Sequence, residues 1–324
     1  MTEPRTSARR RAVRRARRRR RALVLLVVAV ALIVGASQLV SSVLSSTDVA
    51  SAEPDERAAT PVGTPTPPAT SEPSATPEAP VQPAAPCDDA EVQSALDGDS
   101  DDAVIEAFGG GAEFRAAVAA GDAPCVDLHD AGRLWVVVNK RNALEPRDYW
   151  PTPQGRPQST RIIAGGWLLE RTASALDDLS TAMTDAGAGA IAVDSGFRPY
   201  DFQVETYARH VADRGAAEAD LRSARPGHSE HQTGLAVDVV ACGGSGCGDH
   251  DGFGGTPQSE WIVANAWRYG FVVRYEEGHT PTTGYTAEPW HLRYVGDELA
   301  RAYAEGGFHT LEEFFGLDPA PDYG

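Results

Sequence analysis

Two periodicities run along the chain from about residue 100 onward. Apolar residues spaced by three and four mark "DDAVIEAFGG" (101–110) and "AEFRAAVAAG" (112–121) as short helices, each closed by glycine. The same spacing predicts a longer amphipathic helix over 167–187, with Leu169, Leu176, Leu179 and Met183 on one side. Further helices are predicted over 200–215, 258–270 and 297–307. Alternation with period two predicts strands at 133–141, 189–196, 235–240, 271–275 and 290–296. Strands and helices are interspersed without a regular βαβ rhythm, so the predicted class is α+β rather than a doubly wound sheet. No internal repeat is visible.

Upstream of these elements the pattern changes. Residues 22–44, "ALVLLVVAVALIVGASQLVSSVL", carry no charge and are long enough to cross a bilayer core. Residues 1–21 hold eleven arginines and one acid, Glu3. A basic block directly before an apolar run keeps the N-terminus in the cytoplasm and sends the remainder out. The expectation is a single-pass anchor in the cell membrane with an extracellular body. A signal peptide cleaved near "ASAE" (50–53) is the competing reading. Residues 45–86 are rich in Pro, Ser, Thr, Ala and Glu and bury too little apolar surface to order, which makes them a tether. Five parts result: a cytoplasmic basic segment (1–21), the anchor (22–44), the linker (45–86), a small helical segment (87–132) and the main domain (133–324).

Charge narrows the partners. The whole chain has a formal net charge of −17, but without the basic block 18 bases face 45 acids. An acidic body excludes nucleic acid as a partner, since phosphate binding needs a basic surface. The four cysteines, Cys87, Cys125, Cys242 and Cys247, form no CxxC pair. In an exported body they are expected as disulfides, Cys242 with Cys247 around "GGSG" and, by elimination, Cys87 with Cys125.

The chemistry lies in three stretches. In "HQTGLAVDVV" (231–240), period two sets Asp238 on the face of Ala236 and Val240, opposite Leu235, Val237 and Val239. A carboxylate in an apolar strand is costly unless it is paired or bound to metal. His231 lies just upstream, and Gly234 lets the chain bend between them. In "EPWHLRYVG" (288–296), His291 and Arg293 share a face and Glu288 precedes His291 by three residues. Two histidines and an aspartate are the donor set of a catalytic zinc site with one position open, and a nearby glutamate suits the role of base. "DSGFRPYDFQ" (194–203) presents Arg198 at a strand-to-helix turn, where a guanidinium can hold a carboxylate or an oxyanion.

Taken together, "SARPGHSEHQTGLAVDVV" (223–240), "EPWHLRYVG" and "SGFRPYDFQ" resemble the zinc D-alanyl-D-alanine carboxypeptidases of the VanY type, over about 133–316. That family shares its fold with the D-Ala-D-Ala dipeptidases and the hedgehog signalling domain. The resemblance implies a mixed or antiparallel central sheet with flanking helices. It implies zinc held by His231, Asp238 and His291, with Glu288 as catalytic base and Arg198 polarising the substrate. It further implies action on peptidoglycan stem peptides or their lipid-linked precursors. Gln203 and Ser229 are candidate substrate contacts, or else caps of local backbone. His228 is read as a rim residue and His279 as part of a loop over the site. His129, His210, His250 and His309 are read as structural, Trp290 and Tyr294 as core, with Trp290, between base and ligand, also placed to floor the groove, and "DHDGFGG" (249–255) as a flexible lid. The chain departs from the family in the Cys-bracketed insert 242–255 and the stapled segment 87–130. An L,D-carboxypeptidase, an endopeptidase and a non-catalytic wall-binding module are the alternatives on this fold.

Overall fold

The computed structural model describes Pro86–Gly324 apart from Ser245. The basic segment, the apolar segment 22–44 and nearly all of the linker lie outside the described residues. Chain order runs through helices α1 (Ala90–Asp97), α2 (Asp101–Ala107) and α3 (Gly111–Ala120), then strands β1 (Gln154–Gly155), β2 (Arg161–Ile162) and β3 (Leu168–Leu169). Helix α4 (Glu170–Asp185), β4 (Ala190–Ser195), α5 (Tyr200–Arg214) and α6 (Ala216–Asp220) follow. The second half holds β5 (Ala236–Gly243), β6 (Gly246–Cys247), α7 (Pro257–Asn265), β7 (Phe271–Tyr275), α8 (Thr280–Thr283), β8 (Glu288–Tyr294), α9 (Asp297–Glu305) and α10 (Leu311–Phe315).

The main sheet has the order β2-β4-β5-β8-β7, with β6 folded back on β5. Only β2 and β4 run parallel; the other pairs are antiparallel. The sheet is therefore mixed, and the class is α+β as expected. One face of β5, Leu235 being just before it and Val237 and Val239 within it, packs with Ile191, Val193, Leu292 and Val273 in the larger core. Helix α4 covers that face with Leu176, Leu179 and Met183, all fully buried. Each such side chain contributes roughly 1.5–3 kcal/mol of transfer free energy. Leu169, placed on that helix by its spacing, sits instead in β3, as the residue before the helix.

The segment 133–141 is not a strand. Its alternation is real, because Leu134, Val136 and Val138 enter the larger core while Trp135 and Val137 enter a second one. It has no ladder partner, because the carbonyls of Leu134 and Val136 are taken by Nη2 of Arg293, at 3.0 and 2.7 Å. The second core joins α2, α3, α9 and α10 through Val104, Ile105, Phe114, Leu299 and Phe314. The helical segment 87–132 thus shares its apolar interior with the C-terminal helices. The helix predicted over 258–270 ends at Asn265, and Ala266–Tyr269 tighten into a 3₁₀ turn closed by Gly270 at φ 76°. Both expected disulfides are present, Cys87–Cys125 and Cys242–Cys247.

Candidate active site

Register brings three strands to one point. Ser195 of β4, Asp238 of β5 and His291 of β8 are direct neighbours across the sheet. Asp238 points away from the large core because it alternates with Val237 and Val239. His231 arrives from a 3₁₀ turn, Glu230–Thr233, that ends at Gly234 with φ 71°. A side chain at Gly234 would collide with the backbone of Leu169 at 2.8 Å, so the bend that delivers His231 needs glycine on both counts.

The three side chains converge. One ligand atom from each of His231, Asp238 and His291 lies within 4.8 Å of the others, and all three residues are buried. His231 Nε2 is 3.2 Å from Asp238 Oδ2, and His291 Nδ1 is 3.1 Å from Asp238 Oδ1. Despite that approach, Oδ1 has no hydrogen bond of acceptable geometry. Buried lone pairs that crowd a common point without a well-placed proton between them fit a cation there, and the N,N,O set suits zinc.

The outward nitrogens are fixed by other groups. His231 Nδ1 lies 2.8 Å from the carbonyl oxygen of Gly196, which makes it the N–H and frees Nε2. His291 Nε2 lies 3.4 Å from Glu230 Oε2, the reverse choice of ring nitrogen. Glu230 is itself fully enclosed. Arg274 Nε at 3.0 Å and Arg293 Nη1 at 2.8 Å both donate to its Oε1, and Arg274 also pairs with Glu312 at 2.8 Å.

Protonation follows from these contacts. Burial pushes Glu230 up, but Arg274 and Arg293 outweigh it and hold the carboxyl far below the usual range. Burial likewise opposes the ionisation of Asp238, yet His231 and His291 keep it an anion. Burial lowers His231, leaving it a neutral imidazole suited to ligation. Burial also pulls His291 down, but the adjoining carboxylates of Asp238 and Glu230 override this and lift it to about 9. A proton and a metal ion therefore compete for the same His291 lone pair. Glu288 rises to about 7, chiefly through burial, with His291 opposing and Asp238 assisting. Its Oε2 is 3.7 Å from His291 Nδ1, beside the three candidate ligands and not among them.

A cavity of about 460 Å³ opens onto this cluster, lined by Arg198, Ser229, Glu230, His231, Asp238, Glu288 and His291 among others. The Arg198 backbone N–H donates to the His231 carbonyl at 3.2 Å, and Nη1 contacts Ser195 Oγ at 3.3 Å. Its buried Nε has no partner among the described residues, so part of this guanidinium's hydrogen-bonding capacity is unspent.

Several expectations are corrected. Gln203 does not reach the cavity. It is fully buried, and its Nε2 donates to the Ala224 carbonyl at 2.6 Å, pinning α5 under the loop that carries Ser229. Ser229 does line the cavity. His250, read as structural, stacks on Trp290 at 5.1 Å between ring centroids and lies 3.1 Å from Asp194, and all three line the cavity. His210 lines it as well. Trp290 packs half-buried against the large core and also forms a wall of the site, and Tyr294 is core. The segment 249–255 is no free lid, because Phe253 is buried in the large core and Asp249 Oδ1 accepts from Gly252 N–H at 3.0 Å. His228 turns aside to the Asn139 carbonyl at 2.8 Å, and His279 stacks on His309 away from the cavity. Glu230 escaped the sequence reading altogether. Its only local signal is its position between Ser229 and His231, and its partners lie 44 and 63 residues away.

Comparison with known proteins follows the same lines. Residues 166–297 match the family model described as VanY, D-alanyl-D-alanine carboxypeptidase. The chain is 37% identical over 192 residues to YodJ of Bacillus subtilis, a carboxypeptidase by assignment, covering 58% of this chain and 69% of that one. It is 33% identical over 193 residues to a D-alanyl-D-alanine carboxypeptidase of Enterococcus faecalis, covering 56% and 66%. Among solved structures, the LdcB LD-carboxypeptidase superposes with a TM-score of 0.53 at 35% identity, over 57% of this chain and 86% of that one. The fold, the motif-bearing segments and these likenesses agree, and the chain belongs to the VanY family of D-alanyl-D-alanine carboxypeptidases.

Proposed function

We propose that this protein is a zinc-dependent D,D-carboxypeptidase that removes the terminal D-alanine from peptidoglycan stem peptides. The observation that carries the reading is the convergence of His231, Asp238 and His291 on one point at the cavity floor, with the Glu288 carboxylate beside it. Those three side chains would hold the metal. Bound there, zinc would supply Lewis-acid polarisation of the scissile carbonyl and acidify a water molecule. Glu288 acts as base and then acid: it takes a proton from the attacking water and delivers it to the nitrogen of the departing D-alanine. Arg198, which lines the same cavity, stabilises the negative charge that develops on the carbonyl oxygen. Ser229 is retained as a candidate substrate contact on the cavity wall.

The likeness to the LdcB LD-carboxypeptidase favours a second reading, hydrolysis of the L,D bond that ends a tetrapeptide stem. Both readings use the same residues. Product masses from pentapeptide and tetrapeptide stems separate them: D-alanine release from the pentapeptide alone supports the first, and release from the tetrapeptide alone overturns it. Glu288→Ala is expected to lower turnover roughly 10²–10⁴-fold while bound zinc stays near one equivalent. Undiminished turnover in that variant, or in enzyme dialysed against a chelator, refutes the mechanism.

The setting we infer is the outer face of the cell membrane, with 22–44 as anchor and the linker as tether. The two disulfides support an oxidising compartment. Among the described residues no helix is long and apolar enough to cross a membrane. Partition of the full chain between membrane and soluble fractions tests the anchor.

A further inference from the structure

One wall of the cavity is strongly basic. Arg198, Arg209, Arg214 and Arg222 all line it, together with His210. This is unexpected in a body where 45 acids face 18 bases outside residues 1–21. Five arginines elsewhere, Arg133, Arg171, Arg225, Arg274 and Arg293, each pair with a carboxylate. On this wall, Arg222 is paired with Glu218 at 2.7 Å, whereas Arg209 meets the Thr206 hydroxyl at 3.0 Å and lies 5.9 Å from the centre of the Phe202 ring. Among the described residues neither Arg209 nor Arg214 forms an ion pair. The His210 imidazole between them is held low, first by burial and then by Arg214, Arg198 and Arg209, which is the signature of a local positive potential. Phe202, half-exposed, adds an apolar patch to the same wall.

An exposed helix face with two free arginines would ordinarily be a solvated surface. Here both arginines line a concave site, where low-dielectric walls focus their field. Cleavage of a terminal peptide bond asks for one cation at the oxyanion and one at the terminal carboxylate. With Arg198 assigned to the first and Arg222, shared with Glu218, to the second, Arg209 and Arg214 remain in surplus. We propose that Arg209 and Arg214 on α5 form an anion subsite for carboxylates on the peptidyl side of the scissile bond. The substrate class is then an acidic peptide, not merely one with the right C-terminus. This inference deepens the carboxypeptidase reading and rests on it.

The test uses the zinc-loaded full chain and two matched peptides ending in D-alanine. One carries free side-chain carboxylates upstream of the scissile bond; in the other these are amidated. Binding is measured by calorimetry and turnover by D-alanine release. The free acid is expected to bind about tenfold more tightly at low salt, with the preference shrinking as salt rises. In the Arg209→Gln, Arg214→Gln double variant the ratio of kcat/KM between the two peptides should fall to within about twofold, the loss residing in KM. Both residues are exposed, so an unchanged melting temperature will certify the fold. Equal binding of the two peptides by the unaltered protein, or an undiminished preference in the double variant, overturns the subsite. Tighter binding of the acidic peptide with hydrolysis of neither would uphold the subsite and refute the carboxypeptidase reading. Hydrolysis of both with no preference would do the opposite.

Discussion

At the residue scale, the candidate metal site depends on a carboxylate that is not one of the three converging ligands. Glu230 orients His291 through Nε2 and neutralises two fully buried arginines. Both roles predict the outcome of Glu230→Gln. Removing one partner of a buried ionic cluster costs about 3–5 kcal/mol, because the other charge stays behind. Loss of the orienting carboxylate should also weaken zinc binding roughly 10–100-fold. Chemical denaturation reads the first and competition with a chromophoric chelator reads the second; a variant with unchanged zinc affinity would show that Glu230 serves only the arginines. Glu312 gives a pH prediction free of the metal. Burial pushes its carboxyl up, but Arg274 and Asn139 hold it below its ordinary value of 4.5. A depressed folded-state value means that the contribution is fully present above pH 4.5 and is lost as pH falls through the folded value. The stability gap between the protein and Glu312→Gln should therefore narrow below that pH in urea titrations.

At the element scale, what matters is how short pieces are pinned. The Cys87–Cys125 bond closes a span of 38 residues and ties the start of the described chain to the end of the helical segment. On the loop-entropy account its removal, as Cys87→Ala with Cys125→Ala, costs about 4 kcal/mol. The Cys242–Cys247 bond closes a span of 5 and should cost about half as much. Paired melting curves check the order, and the reverse ranking would mean that strain or residual structure governs. The segment 133–141 shows why local pattern misleads at this scale. Alternation only reports that successive side chains enter two different interiors, which a strand does and an isolated extended segment between two cores also does.

At the scale of the whole molecule, the second core decides what can be removed. Val104, Ile105 and Phe114 from the N-terminal helices are enclosed with Leu299, Phe314 and Phe315 from the C-terminal ones. A protein starting at Leu134 would expose that whole interior. It is expected to lose cooperative unfolding and to aggregate, whereas one starting at Pro86 should melt as the full chain does. A cooperative, soluble truncation at Leu134 would show that the sheet core alone suffices. The sheet that carries the site and this chain's own helical appendage thus share an apolar interior through Val272 of β7, and Arg293 of β8 reaches the segment 133–141 that lies between the two cores.

The sequence by itself determined the strand faces of Asp238 and His291, the glycine that turns His231 toward them, and the glutamate three residues before His291. Those are consequences of period, spacing and the cost of burying a lone carboxylate, all of which are local. The tertiary structure decided the remainder. It turned Gln203 inward to a backbone carbonyl, stacked His250 on Trp290, enclosed Glu230 between two arginines, and gathered Arg209 and Arg214 at the cavity. Each of these depends on which loop closes over which strand. That is set by packing among residues tens of positions apart, and no local pattern records it.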